Sequence, residues 1–231
     1  MIAASKDITI KAADGGSFSA YMALPKTTPA PAIIIITSIF GTDQEMRDRT
    51  DRYAEAGFIG VVPDIFWRNE SGPLSPNDEA ERKRAYARLH AFDVDKGIAD
   101  IKAIVDMLRS MKEYSGKFAV AGFCFGGRFT VLAATRLGAA AGVAFHGTNI
   151  DVPEAEKVAC PLSLHFGDDD AAVPMDEVEA IKAALKRNPK AEIFVYPGAK
   201  HGFSSPSRPA YDPEAARLSH ERAMKVLSGM K

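Results

Sequence analysis

Apolar and polar positions follow different periods in successive segments of the chain. From Asp7 to Leu24 they alternate around Ala13-Asp14-Gly15-Gly16, which is typical of two strands joined by a turn. Ala32–Thr37 is instead apolar and mostly β-branched on both faces, as in a parallel strand that is covered on both sides. Similar short runs predict further strands at Phe58–Val62, Phe118–Gly122, Gly142–Phe145, Leu162–Phe166 and Ile193–Tyr196.

Helical spacing separates these strands. In Val94–Met111 the apolar residues Ile98, Ile101, Val105 and Leu108 recur at intervals that place them on one face of a helix. Gly57 follows the polar-rich segment Thr42–Ala56 and indicates a helix end there. The same pattern predicts helices at Asp78–Ala91, Phe129–Leu137, Asp176–Leu185 and Pro213–Leu227, and a long loop at Asp64–Asn77.

This alternation of strands and helices predicts an α/β protein, with a mostly parallel sheet of about eight strands and helices on both faces. No repeat, low-complexity tract or linker interrupts the 231 residues, so we expect a single domain over residues 1–231. In doubly wound sheets the functional groups gather at the carboxyl ends of the strands. The segments that directly follow predicted strands are therefore where chemistry is expected.

Composition limits the classes of partner. The chain carries 29 Lys and Arg against 30 Asp and Glu, which argues against a general affinity for nucleic acid or anionic membranes. Its longest apolar run, Pro31–Ile36, is far shorter than the roughly 20 residues that span a bilayer. The strand-like start at Met1–Ile10 lacks a signal-peptide core. We expect a cytoplasmic protein, monomeric or a small homo-oligomer, with a small molecule as its partner.

The most specific motif surrounds Cys124. A hydrophobic strand runs into Gly122-Phe123-Cys124-Phe125-Gly126-Gly127, and a helical pattern follows, which is the nucleophile-elbow arrangement with cysteine in place of serine. The glycines leave room for a tight turn that lifts the sulfur above the sheet. The Phe125 N–H, at a helix N-terminus, can then face a carbonyl oxygen. A buried structural cysteine is the simpler alternative, but the strand–turn–helix context favours a nucleophile.

A nucleophile of this kind needs a histidine later in the chain and an acid between the two. His201 lies on a glycine-flanked loop after the last predicted strand, where the base is expected. His90 and His220 stand among charges on predicted helices and are interpreted as surface residues. His165 lies within a strand and fits a hydrogen-bonded core position. His146 ends a strand but precedes the acid, so it is interpreted as a residue of the pocket only.

Three consecutive aspartates, Asp168, Asp169 and Asp170, supply the candidate acid. They follow a predicted strand and precede His201, which is the required order. On a solvated loop the same run would be only an acidic turn. Spacing alone does not choose among the three.

A metal or cofactor is not expected. The chain has no His-x-x-x-His or His-Glu-x-x-His spacing, and its two cysteines, Cys124 and Cys160, cannot form a Cys-rich zinc site. The basic stretch Arg82-Lys83-Arg84 is typical of a solvated helix face.

The order Cys, Asp, His, together with the sequence GFCFGG, resembles the dienelactone hydrolase family of α/β-hydrolases. The resemblance covers nearly the whole chain, through Ile39-Phe40-Gly41, Val62-Pro63-Asp64, Ala85-Tyr86 with Ala91-Phe92-Asp93, Gly167…Asp170…Val173-Pro174 and Ala199-Lys200-His201-Gly202-Phe203. It implies the α/β-hydrolase fold and selects Asp170 as the acid.

The resemblance also implies a carboxylic ester hydrolase for dienelactone (carboxymethylenebutenolide) or a related ester. Cys124 would attack the carbonyl while the Ile39 and Phe125 amides hold the oxyanion. His201, oriented by Asp170, would move the protons, and water would cleave the thioester. Arg82 and Tyr86 match the family's helix segment and would contact the substrate together with Ser38, with the charge of Arg82 suiting an anionic substrate.

Three positions depart from the family pattern. Ser38 stands where lactone-hydrolysing members have a glutamate that helps to activate the thiol, and a hydroxyl cannot act as a carboxylate base. Ser205 stands where a second arginine grips the substrate carboxylate, with Arg208 three positions further on. Leu89 replaces an aromatic residue. Together these departures argue against the family's usual substrate more than against its type of reaction.

Two alternatives follow. An esterase or thioesterase for a different carbonyl substrate would keep the nucleophile and give Arg82 another role or none. A non-catalytic α/β-hydrolase-like binding protein would keep the pocket but would not need Cys124, Asp170 and His201 together. Phe66 and Trp67, on the Asp64–Asn77 loop, are compatible with lining the pocket and with covering the core.

Overall fold

The computed structural model describes residues 2–231, which fall into two compact units, residues 2–118 and 119–231. Within the described residues there are eight strands and seven α-helices. Most strand pairs are parallel, and the antiparallel ones lie at the amino-terminal edge. The predicted α/β class, with about eight mostly parallel strands, is confirmed.

The first unit contains strands in the order β1-β2-β4-β3, where β1 is Ala4–Lys11, β2 Ser17–Leu24, β3 Ala30–Ile36 and β4 Ile59–Pro63. The first two form the predicted antiparallel hairpin, and β3 and β4 are parallel. Every residue of β3 and β4 is buried, which explains why their sequences are apolar on both faces.

Three helices complete this unit: α1 (Gln44–Glu55), α2 (Glu79–His90) and α3 (Val94–Arg109). Each follows an aspartate whose carboxylate accepts a hydrogen bond from the backbone N–H three residues further on. These caps satisfy N–H groups that a helix start leaves unpaired, and they explain where the helices begin. The buried side of α3 carries the predicted apolar stripe.

The segment between β4 and α2 forms no regular element, as predicted. Phe66 is fully buried and meets Phe92 edge to face, with ring centroids 5.4 Å apart. Trp67 stacks on Phe18 at 5.8 Å and donates a hydrogen bond of 2.9 Å to the buried carboxylate of Asp100. Both aromatic residues therefore cover the core of their own unit.

In the second unit the parallel order is β5-β6-β7-β8. β5 (Tyr114–Phe123) starts before the unit boundary, and β6 (Ala141–Phe145), β7 (Leu162–Gly167) and β8 (Ala191–Tyr196) follow. The helices are α4 (Gly127–Arg136), α5 (Val152–Ala155), α6 (Met175–Leu185) and α7 (Pro213–Ser228). α4 and α7 both pack against the fully buried β6.

The register of these strands places one aromatic ring from each strand at the same level. Phe123 pairs with Phe145, Phe145 with His165, and His165 with Phe194. The four rings stack in a row, with neighbouring centroids 4.8, 5.1 and 5.3 Å apart. Because of this register, the chain leaves β5 and β6 at neighbouring points of the same sheet edge, immediately after Phe123 and Phe145.

Two differences from the sequence-based expectation have physical reasons. β5 begins at Tyr114, four residues before the predicted start, because Tyr114–Lys117 is polar and partly exposed and lacks the apolar signal. The four-residue helix α5 was not predicted, although Asp151 caps it. The other elements agree to within three residues. Among residues 2–231, no helix is long and apolar enough to cross a membrane.

Candidate active site

Cys124 occupies a strained turn directly after β5. Its φ is +53°, in the left-handed region that residues other than glycine rarely adopt, and a single 3-10 turn, Cys124–Gly126, leads into α4. A Cβ at Gly122 would lie 2.2 Å from the Gly126 carbonyl oxygen, and one at Gly127 would lie 2.3 Å from the Gly147 Cα. Both positions therefore require glycine, as the elbow pattern predicts.

The elbow is also bonded to the loop that follows β6. The Cys124 carbonyl accepts hydrogen bonds from the N–H of Gly127 and, at 3.0 Å, from the N–H of Thr148. Phe125 directs its side chain into the core, where it meets Phe129 edge to face at 5.3 Å. Its backbone N–H belongs to the turn at the start of α4, where the helix dipole favours negative charge.

His201 is held by Asp170. Its Nδ1 lies 2.8 Å from Oδ2 and 3.1 Å from Oδ1 of that carboxylate, whose side chain is completely buried. The carboxylate also accepts hydrogen bonds from the backbone N–H groups of Ala172 and Val173, at 2.8 and 3.2 Å. The side chain of Cys124 is the second hydrogen-bond partner of the His201 ring.

Geometry separates the three consecutive aspartates. Asp168 accepts a hydrogen bond of 2.6 Å from the Gly198 N–H, and Asp169 is exposed with Lys200 3.7 Å away. Asp170 is the one that contacts His201. The residue selected by the family resemblance is thus the residue next to the imidazole.

The charge state of His201 depends on its two partners. Burial of the ring favours the neutral form, but the hydrogen bonds and charges of Asp170 and Cys124 outweigh burial and raise the pKa of His201 to about 10. Near neutral pH these partners favour the protonated, imidazolium form of His201. The thiolate is the form of cysteine that attacks carbonyl carbons, and a neighbouring imidazolium is one of the groups that stabilise a thiolate in proteins.

The other histidines occupy different environments. His165 is buried, with Nε2 3.0 Å from the Ser163 hydroxyl and Nδ1 2.9 Å from the Tyr196 hydroxyl, and burial lowers its pKa to about 3. The predicted hydrogen-bonded core position is confirmed. His90 is exposed as expected, whereas His220 is only partly exposed because it lies on α7 beside its packed face.

His146 lies closer to His201 than the sequence indicated. It follows β6, is buried and has a φ of +42°. Its ring meets the His201 ring edge to face with centroids 4.9 Å apart, and its Nε2 lies 3.1 Å from the Ser204 hydroxyl. A histidine at the end of a strand was the available signal, but the contact with His201 depends on how the later loop folds.

The remaining predicted site residues lie in the first unit. The Ser38 hydroxyl accepts a hydrogen bond of 3.3 Å from the Phe40 N–H, and Ile39 is buried. On α2, Arg82 is exposed and donates to the Pro76 carbonyl at 3.2 Å, while Tyr86 is 54% exposed. These environments leave the oxyanion and substrate roles as predictions.

Sequence reasoning missed Arg88. Its side chain is buried, and its Nε donates to the Ile39 carbonyl at 2.8 Å. Nη1 donates to the Glu70 and Gly72 carbonyls at 3.0 and 2.8 Å, and the guanidinium lies 4.4 Å from the centroid of the Phe66 ring. An arginine among other charges on α2 predicts a surface residue. No signal in the sequence therefore indicated that Arg88 is buried and binds these backbone carbonyls.

Two further positions bear on the departures from the family pattern. Ser205 is buried, and its N–H donates to the Gly202 carbonyl at 3.0 Å. The Cγ of Arg208 would lie 3.6 Å from a Cβ at Gly202, so this side chain passes close to the loop that carries His201.

Within residues 2–231, no group of three or more His, Cys, Asp or Glu side chains is placed to hold a metal ion.

Comparison with known proteins gives one family over nearly the whole length. A model of the dienelactone hydrolase family matches residues 18–230. The carboxymethylenebutenolidases of Pseudomonas putida and Pseudomonas knackmussii are each 30% identical over 230 residues, covering 98% of this chain and 98% of theirs. A solved structure from Klebsiella pneumoniae, named for dienelactone hydrolase, is 26% identical with a TM-score of 0.85, and the match covers 97% of this chain and 99% of that one.

Proposed function

Because this chain belongs to the dienelactone hydrolase family, whose members act on ester and lactone bonds, we propose that it cleaves a carboxymethylenebutenolide-like ester or lactone through Cys124, His201 and Asp170. One observation carries the residue assignment. Within one unit, contacts run without a break from the buried Asp170 carboxylate to His201 and from His201 to the Cys124 side chain. Such a chain of nucleophile, base and orienting acid is what acyl transfer requires.

The first half of the reaction forms a thioester. The Cys124 thiolate bonds to the carbonyl carbon, and the carbonyl electron pair moves onto oxygen. The N–H of Phe125 at the start of α4 stabilises that oxyanion, and the Ile39 N–H is the second proposed donor. When the electron pair returns, the C–O bond to the leaving group breaks, and His201 donates its proton to the leaving oxygen.

The second half releases the acid. His201, now neutral, accepts a proton from water as the water oxygen attacks the thioester carbon. Collapse of the second intermediate breaks the C–S bond, so that the thiolate and the imidazolium form again. Asp170 keeps the proton on Nδ1 throughout, which leaves the other ring nitrogen free to exchange protons with sulfur, the leaving group and water.

Ser38 and Arg82 define the substrate part of the proposal. Since Ser38 cannot act as a carboxylate base, activation of the thiol falls to His201. Arg82 is an exposed cation on α2, and we assign it, with Tyr86, to an anionic group of the substrate.

An esterase for an uncharged carbonyl substrate is the second candidate. It is favoured by Ser205, a buried neutral residue where lactone-hydrolysing members of the family carry a cation. In that case the mechanism through Cys124 is unchanged, and only the group beyond the reacting carbonyl differs.

The proposal is tested by initial rates on dienelactone and on p-nitrophenyl acetate. Wild type is compared with Cys124→Ala and with Cys160→Ala, a matched control, since Cys160 is half-buried and burial raises the pKa of its thiol. We expect Cys124→Ala to lose turnover of both substrates and Cys160→Ala to retain it.

Turnover of the simple ester alone, lost in Cys124→Ala, would support the mechanism and reject the lactone substrate in favour of the second candidate. Turnover that survives in Cys124→Ala would reject the mechanism. If neither ester is hydrolysed and iodoacetamide labels Cys124 and Cys160 equally slowly, the non-catalytic alternative is correct.

A further inference from the structure

We propose that His146 is a positioning residue for this reaction, holding the His201 ring in line with Cys124 through its own ring and its hydrogen bond to Ser204. The inference rests on the proposed function and adds a residue to it. Three sets of contacts in the second unit carry the argument.

The backbone fixes where His146 stands. It directly follows the buried strand β6, and its N–H donates a hydrogen bond of 2.7 Å to the carbonyl of His165 on β7. Its φ of +42° is a conformation that a histidine adopts only when its surroundings hold it there. The residue is only 3% exposed, so its ring has little freedom to move.

The side chain of His146 contacts the loop that carries the base. Its Nε2 lies 3.1 Å from the hydroxyl of Ser204, three residues after His201. The ring meets those of His201 and Phe203 edge to face, with centroids 4.9 and 5.6 Å away. Asp170 fixes one edge of the His201 imidazole, and His146 packs against the same ring from another side. The two contacts together restrict rotation of that ring about its Cβ–Cγ bond.

The same loop contacts the nucleophile. Thr148, two residues after His146, donates its N–H to the Cys124 carbonyl at 3.0 Å, and Gly147 packs against Gly127 at the start of α4. The short segment 146–148 therefore touches both the residue that carries the sulfur and the loop that carries the base. A link of this kind sets the distance and direction between sulfur and imidazole, on which proton transfer and attack depend steeply.

The test uses Ser204→Ala, His146→Ala and the double variant. Loss of one buried hydrogen bond predicts a roughly fivefold lower kcat on p-nitrophenyl acetate for Ser204→Ala. Loss of the ring as well predicts at least a roughly tenfold decrease for His146→Ala, with KM within about twofold of wild type in both. Because the two residues act through one contact, the double variant should be no slower than His146→Ala.

Iodoacetamide labelling of Cys124 should slow by similar factors, since it reports the same sulfur–imidazole pair without a substrate. His146→Gln, which keeps a side-chain amide able to reach Ser204, should recover part of the loss.

Ser163→Ala is the matched control for a purely structural role. It removes an equivalent buried contact of 3.0 Å, between the Ser163 hydroxyl and the ring of His165. The proposed mechanism gives His165 no role. We expect it to lower Tm while kcat stays within about twofold of wild type.

The positioning role is rejected if Ser204→Ala and His146→Ala keep wild-type kcat and labelling rates, or if Ser163→Ala loses kcat to the same extent. These outcomes leave the proposed function standing whenever wild-type turnover is lost in Cys124→Ala. Turnover that persists in Cys124→Ala rejects the proposed function, and the role of His146 with it.

Discussion

Replacing Asp170 by asparagine tests the most specific contact of the site. The substitution preserves the size and shape of the side chain but removes its charge. Oδ1 can still accept from the Ala172 and Val173 N–H groups, at 2.8 and 3.2 Å in wild type. The new amide N–H₂ then faces His201 Nδ1, and because both groups would be donors, His201 must give up its Nδ1 proton and keep only the proton on the other ring nitrogen.

The magnitude follows from these contacts. A hydrogen bond between charged groups contributes about 1.5–3 kcal/mol, and the 2.8 Å contact between Nδ1 and Oδ2 is of this kind. With about 1.4 kcal/mol per factor of ten, its loss alone lowers kcat by roughly 10- to 150-fold. The wrong tautomer adds to this loss, because the nitrogen that faces Cys124 can no longer accept the thiol proton. We therefore expect a decrease of at least about 100-fold.

The assay is the steady-state rate on p-nitrophenyl acetate, with Asp169→Asn as the matched control. Asp169 is the preceding residue and is exposed, 3.7 Å from Lys200, so its charge is screened by solvent. We expect Asp169→Asn to stay within about twofold of wild type. Circular dichroism and Tm confirm that each variant is folded.

A wild-type rate for Asp170→Asn in a folded protein would refute this reasoning. The same holds for a larger loss in Asp169→Asn than in Asp170→Asn, which would transfer the orienting role to the neighbouring aspartate.

Three further predictions concern stability. Gly122→Ala should lower the free energy of unfolding by more than about 2 kcal/mol in urea, because its Cβ would lie 2.2 Å from a backbone oxygen, and an unchanged midpoint would contradict the elbow geometry. Arg88→Met should lower the free energy of unfolding by about 3 kcal/mol, because it leaves three backbone carbonyls without their donor. Arg82→Met, on the exposed face of α2, should lower it by less than about 0.5 kcal/mol, and equal effects of the two variants would contradict the structural role of Arg88. Finally, the folded-state pKa of His201, about 10, lies above the ordinary 6.5, so its contribution to stability is complete below about pH 6.5 and is lost as the pH rises through about 10. The stability difference between wild type and His201→Gln should decline over that window, and a difference that grows with pH would show the opposite sign.

Features set by local pattern were predictable from the sequence. β3 was predictable because burial on both faces demands an unbroken apolar run. The turn at Cys124 was predictable because the backbone there approaches too closely for any Cβ at Gly122. Because this geometry requires glycine at fixed distances from the cysteine, the sequence motif alone predicts the turn.

Features that depend on contacts between distant segments were not predictable from local pattern. Arg88 reaches the Ile39 carbonyl across 49 positions, and His146 reaches Ser204 across 58. Polar residues at such places have the same local pattern as solvated ones. The choice of Asp170 within the aspartate run likewise needed either the family pattern or the position of the His201 ring, since spacing treated the three alike.

In the proposed mechanism Cys124 carries the acyl group during turnover. Rapid quenching of the protein with p-nitrophenyl acetate, followed by proteolysis and mass spectrometry, identifies the residue that carries it. Acetyl should be found on the peptide containing Cys124, should decay at the rate of turnover, and should be absent from Cys124→Ala. Acetyl on Cys160 or another residue, or continued turnover in Cys124→Ala, would show that Cys124 is not the nucleophile.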